Sequence, residues 1–155
     1  MGMLQTLARL MAEPVREPYT ALQEAYVGGV TRARLLTQIA ERAPQSHGRE
    51  TLQRLGAAET AMAEHVAAVL RRAGRVVSAP TATPPPPGGL NHWRRLVQVL
   101  EAHRAAEKDA RELRVRFAET YPAVAALFDE LCRTEQAHGQ ALRALIARAD
   151  PLALD

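Results

Sequence analysis

The stretch PAVAALFDELCRTEQAHGQALRALIARA, residues 122–149, carries the pattern that decides the fold. Val124, Leu127, Leu131, Leu142 and Leu145 recur at helical spacing, so they form one apolar stripe on an α-helix. Pro122 suits the first turn, where its missing N–H is not needed, and Pro151 stops the helix. Glu135 and His138 fall in the gap of the stripe, between Leu131 and Leu142. An ionised carboxylate is costly in an apolar interior unless a base or a cation pairs with it. Residues three apart on a helix can reach one point, so Glu135 and His138 are read as a pair acting together.

Working outward, the rest of the chain supplies three more helices. Pro18 opens one that runs over 18–43 and stops before Pro44, because proline disfavours helical geometry in the residue before it. A second spans 49–73, with Ser46 as a possible N-cap and Gly74 as a C-terminal cap. A third spans 91–120. Residues 75–89 break the pattern, and Pro84–Pro87 favour extended polyproline II. About fifteen residues in that form reach roughly 45 Å, against about 38 Å for a helix of ~25 residues. The linker can therefore run the length of a bundle, which makes the second and third helices parallel. A flexible link between two separate hairpins is the alternative, but each hairpin alone would leave an apolar face unburied. The expected fold is all-α: an antiparallel four-helix bundle with one long crossover, in a single domain spanning 1–155.

The two hairpins look like copies. Ala40-Glu41-Arg42-Ala43-Pro44 at the first turn matches Ala118-Glu119-Thr120-Tyr121-Pro122 at the second. Glu59-Thr60-Ala61-Met62-Ala63 matches Glu135-Gln136-Ala137-His138-Gly139, and Val69-Leu70-Arg71-Arg72-Ala73 matches Leu145-Ile146-Ala147-Arg148-Ala149.

Composition narrows the function classes. Apolar residues make up 47% of the 155 and aromatics only 4%, and no alternating run of β-branched residues offers a source of strands. The net charge is +3, with acids and bases interspersed along every segment, which reads as a solvated helix surface and not as a nucleic-acid footprint. A DNA-protecting shell protein would need a basic tail, and Asp150–Asp155 is acidic. Cys132 is the only cysteine, so no internal disulfide forms, and it reads as a small buried hydrophobe. Met1–Met11 is too short and too interrupted, by Arg9, for a signal peptide or a membrane span. It reads as a short amphipathic helix that packs on the bundle or on a second subunit. A cytoplasmic homodimer is the expectation.

The apolar stripes of the other helices also carry polar residues. Glu59 and Met62 sit among Leu52, Leu55, Val66 and Val69; His103, Glu107 and Arg114 sit among Leu96, Leu100, Ala110, Phe117 and Tyr121. In an antiparallel hairpin, residues equally far from the turn share a level. With the second turn centred near Tyr121, Glu107 and Glu135 each lie 14 residues from it and are expected to face one another. Arg114, two turns from Glu107, is a ready partner if the carboxylates form a polar network instead of a metal site.

This pattern resembles the ferritin-like superfamily, which includes rubrerythrin-like and bacterioferritin-like proteins. The family places a glutamate on each of two helices and a Glu-x-x-His on each of the other two, all turned inward around two metal ions. The resemblance implies Glu135 and His138 as the fourth-helix motif, Glu107 as the lone glutamate of the third helix, and Glu59 as the glutamate of the second, with His103 a possible substitute ligand. It implies iron or manganese and oxygen or peroxide chemistry. The chain departs from the pattern twice. Met62 stands where a second histidine belongs, and its soft thioether suits a hard, carboxylate-bound ion poorly. On the first helix, Gly28, Gly29 and Thr31 occupy the level facing Glu59. The alternative is a non-catalytic bundle whose site survives as a polar network in a structural or interaction role.

Overall fold

A computed structural model of the chain describes residues 17–82 and 89–153. Four α-helices account for nearly all of it: α1 Pro18–Glu41, α2 Ser46–Arg72, α3 His92–Phe117 and α4 Pro122–Ile146. No strand occurs among the described residues. The amphipathic segment expected at Met1–Met11 and the polyproline stretch Pro84–Pro87 lie outside the described residues.

Local chemistry sets the helix ends. Glu17 caps α1 by accepting from the Thr20 backbone N–H at 2.8 Å, and Pro18 fills the position that needs no donor. Asn91 caps α3 through the Arg94 N–H at 2.9 Å, and its amide also donates to the carbonyls of Pro151 and Ala153, tying the chain's exit to the start of α3. Gly74 follows α2 at φ 73°, a left-handed conformation that glycine adopts without a Cβ clash. Ser46 is the first residue of α2, and Gln45 precedes it as the cap without a side-chain hydrogen bond. Helices α1 and α3 stop short of the expected ends, at Glu41 and Phe117, whereas α2 begins three residues before the expected 49, at Ser46. Tyr121, expected on the α3 stripe, lies beyond the end of that helix and is 42% exposed.

Each hairpin packs its own two helices together, α1 on α2 and α3 on α4, and the hairpins meet as α1 on α3 and α2 on α4. Two apolar clusters form the core. One joins the start of α1 (Leu22, Tyr26), the end of α2 (Val66, Leu70), the end of α3 (Leu113, Phe117) and the start of α4 (Leu127, Phe128). The other joins the end of α1 (Leu36, Ile39) and the start of α2 (Leu52, Leu55) to the start of α3 (Leu96, Val99) and the end of α4 (Leu142, Leu145). Helix α2 therefore ends where α3 ends, so the two are parallel, and the chain has to return from one end of the bundle to the other between them; residues 73–82 begin that return. They run along α1, where Gln23 donates to the Ser78 carbonyl and Arg34 to the Pro80 carbonyl. The long crossover read from the proline-rich linker is present.

Close helix approach comes from small residues. A Cβ on Gly29 would lie 3.4 Å from the Cβ of Ala63, and one on Gly56 would lie 3.4 Å from the Thr37 hydroxyl and 3.5 Å from the Ala33 carbonyl. Helices α1 and α2 are thus drawn together at the level of Glu59, which is where the site lies.

Candidate metal centre

Between the two apolar clusters, every helix contributes a polar side chain to the interior. Arg32 comes from α1, Glu59 from α2, His103 from α3, and Glu135 and His138 from α4. Glu59 and Glu135 are each 2% exposed, His138 6%, and His103 fully buried. The helical period alone explains their burial: each sits on the stripe of its own helix, between apolar residues one or two turns away.

The network is closed and crosses between hairpins. His103 Nδ1 lies 2.6 Å from Glu135 Oε2, and His138 Nδ1 lies 2.7 Å from Glu59 Oε1. An ionised carboxylate only accepts, so each Nδ1 carries the proton in these bonds. Arg32 spans both acids, with Nε 3.3 Å from Glu59 Oε2 and Nη2 2.7 Å from Glu135 Oε1. The two imidazoles stand edge to face, centroids 5.6 Å apart. His103 Nε2 is buried and has no hydrogen-bond partner among the described residues.

Burial pushes the Glu59 carboxyl up, but the hydrogen bond from His138 and the positive charges of Arg32, His103 and His138 outweigh it, holding the pKa below its ordinary 4.5. A depressed carboxylate contributes stability that is present above its unfolded pKa and lost as pH falls through the folded one. Urea unfolding at pH 6 and at points below 4.5 is therefore expected to show a falling free energy, with a shallower fall in Glu59→Gln. An equal slope in the two proteins would remove Glu59 as the source.

The fit to a cation can be tested on the donors. Glu59, His103, Glu135 and His138 each offer one ligand atom, and these atoms all lie within 4.8 Å of one another. Ligands at about 2.0–2.2 Å from one ion are separated by at most about 4.4 Å, so a contraction of a few tenths of an ångström completes the set. His103 Nε2 is a ring nitrogen for which the described residues supply no partner. Two oxygens and two nitrogens make a borderline-hard donor set. A cleft of about 220 Å³ between α1 and α3, lined by Glu24, Gly28, Asp109 and Phe128, reaches Arg32 and Glu135 and offers an entry path. The residues present can hold a metal ion.

Four of the five residues singled out from the sequence meet here: Glu59, His103, Glu135 and His138. Glu107 does not. It is partly exposed and pairs with Arg111 one turn on, instead of facing Glu135. The turn covers 118–121, so its centre lies nearer the start of that run than Tyr121, and the residue level with Glu135 is His103, a turn earlier than Glu107. Arg114 is also not part of the network; it pairs with Asp129 at 2.7 Å near the surface. Met62 is half-buried and packs on the first apolar cluster, away from ligand duty. Arg32 is the member that the sequence did not yield. Gly28 and Gly29 stood at its level, and they make its position possible: a Cβ on Gly28 would lie 3.1 Å from Arg32 Nη1. The usable signal was a long cation beside two glycines, opposite a buried glutamate.

No helix among the described residues is long and apolar enough to cross a membrane. Comparison with known protein families, curated proteins and solved structures finds no match for the chain.

Proposed function

We propose that this chain is a ferritin-like metalloprotein that binds one divalent cation, iron or manganese, through Glu59, His103, Glu135 and His138. The carrying observation is the convergence of two carboxylates and two imidazoles from three helices, ligand atoms within 4.8 Å, all buried. The helix order supports the family reading, with α2 and α3 parallel and a long crossover between them, and so does a Glu-x-x-His on α4 facing a glutamate on α2. Such an ion, when bound, supplies redox chemistry toward oxygen or peroxide.

Arg32 sets the number of ions. Glu59 and Glu135 carry two negative charges and Arg32 returns one positive, leaving −1 once the imidazoles act as metal ligands, which they do only in the neutral form. One divalent ion takes the cluster to +1. A second would add two more positive charges with no further buried carboxylate to offset them. The family's two-ion arrangement is therefore reduced to one.

The same arginine favours a second reading. It already satisfies both acids, so the cluster is stable as a metal-free network joining the hairpins, in a bundle with a structural or interaction role. Metal analysis separates the two. Protein purified without chelator, and again after anaerobic addition of iron(II) or manganese(II) and desalting, is expected to hold about one ion per chain. Glu135→Ala is expected to hold less than a tenth of that. A wild-type protein that retains no ion after loading overturns the metal reading and leaves the network.

A further inference from the structure

A second concave site lies at the end of the bundle where α1 and α4 finish and α2 and α3 begin. It is a cavity of about 560 Å³, within the range of small-molecule sites. Arg95 marks its distance from the metal centre: it precedes His103 by eight residues, about 12 Å along α3. The two sites share no residue.

Its walls are of two kinds. Trp93, Ala43, Pro44 and Leu145 give an apolar side. Arg42, Arg95 and Arg148 give a cationic one, and among the described residues Asp150 is the only acid that lines it. That acid is turned to the chain's exit, where it accepts from the Leu152 N–H at 2.9 Å. Arg148 leans on His47, Nη1 to Nε2 3.2 Å, and neither it nor Arg42 pairs with a carboxylate among the described residues. The other arginines divide: Arg71, Arg75, Arg111, Arg114 and Arg133 each lie against an acid, whereas Arg49, Arg54 and Arg72 bond a carbonyl or hydroxyl oxygen. A basic residue at a helix C-terminus is favoured by the helix dipole, and both arginines stand at such ends. The dipole does not explain the concavity, the indole on its wall, or the buried Arg95 that also lines it. Nor does either guanidinium bond the carbonyls of its own helix end; the Ala43 carbonyl after α1 is taken by Arg49 of α2.

We propose that this end pocket binds a small organic anion, a phosphate or carboxylate head on a flat or apolar body. Arg42 and Arg148 take the head, since a guanidinium fork matches two oxygens of either group. Trp93 and the aliphatic wall cover the body, where indole stacking favours a ring. The half-buried position of Trp93 on the pocket wall is what makes it a ligand contact.

Trp93 is also the test, because it is the only tryptophan in the chain and its fluorescence reports on this pocket alone. The full chain is titrated with AMP, benzoate, pyrophosphate and adenosine, with calorimetry alongside. AMP or benzoate is expected to give a saturable change, and the stronger of the two identifies the head group. Adenosine, which lacks the anion, and pyrophosphate, which lacks the body, are expected to bind at least about tenfold more weakly. The double variant Arg42→Gln/Arg148→Gln, altered only at exposed side chains, is expected to keep the helical circular dichroism of the parent and to lose about tenfold or more in affinity. The proposal is overturned if neither ring-bearing anion gives a saturable change up to roughly 10 mM, a strength below any functional affinity. It is equally overturned if adenosine binds as well as AMP, or if the double variant responds like the parent.

Discussion

Arg32→Gln is expected to lower the unfolding free energy by about 3–5 kcal/mol in chelator-treated buffer, and to recover most of that loss when a divalent ion is added. Among the described residues the guanidinium is the one permanent cation touching Glu59 and Glu135, both 2% exposed. Removing it leaves two buried carboxylates whose only remaining partners are imidazoles. Removing one partner of a buried ion pair strands the other, which is why the loss is several times that of a surface pair. For a chain of this size the loss corresponds to a fall in melting temperature of roughly 10 °C. A cation bound at the vacated position repays the loss by mass action, about 2.7 kcal/mol at a hundredfold excess over its dissociation constant. Wild type is expected to gain less from the same ion, because Arg32 already holds part of the negative charge. Thermal unfolding of both proteins, in chelator and then in manganese(II), measures all four quantities. Loss without metal rescue would point to the metal-free network. No loss at all would show that Arg32 does not neutralise the acids.

The second large effect lies in the apolar layer beside the site. Phe128→Ala is expected to destabilise the bundle by about 3–5 kcal/mol, the usual range for emptying a buried phenylalanine position. Phe128 is 1% exposed, its ring is 6.1 Å from that of Phe117, and it belongs to a cluster fed by all four helices. The neighbours Leu22, Val66 and Leu113 come from helices already fixed at both ends by turns and by the opposite cluster, so the space cannot collapse fully. Urea unfolding with an unchanged slope and a lower midpoint is the expected result. A loss below about 1 kcal/mol would mean that this layer is not packed as described.

Much of the architecture is legible in the residues. Pro18 and Pro122 open their helices and Gly74 follows the second, because each of these effects is local and needs no tertiary partner. The stripe on α4 is buried as read, from Val124 to Leu145, and so are Glu135 and His138 within it. Glu59 and His103 were found by the same period on their own helices. The failures share a cause. Choosing Glu107 over His103 required the depth of α3 against α4, and a turn centred two residues early moves the level by about 3 Å on each helix. Arg32 is not legible from the period of α1, because a long arginine side chain reaches over its own helix edge to a point away from its Cβ.

The sequence by itself determined four amphipathic helices, the direction of the crossover and the fact that acids and histidines point inward at mid-length. Those properties follow from periods of one helix and from the reach of a linker. Only the tertiary structure decided who pairs with whom: His138 with Glu59 across 79 residues, and Arg32 with Glu135 across 103. A helical period fixes the face a residue occupies but leaves free the axial slide and rotation of one helix against another. A shift of a single turn, about 5.4 Å, exchanges one set of partners for the next.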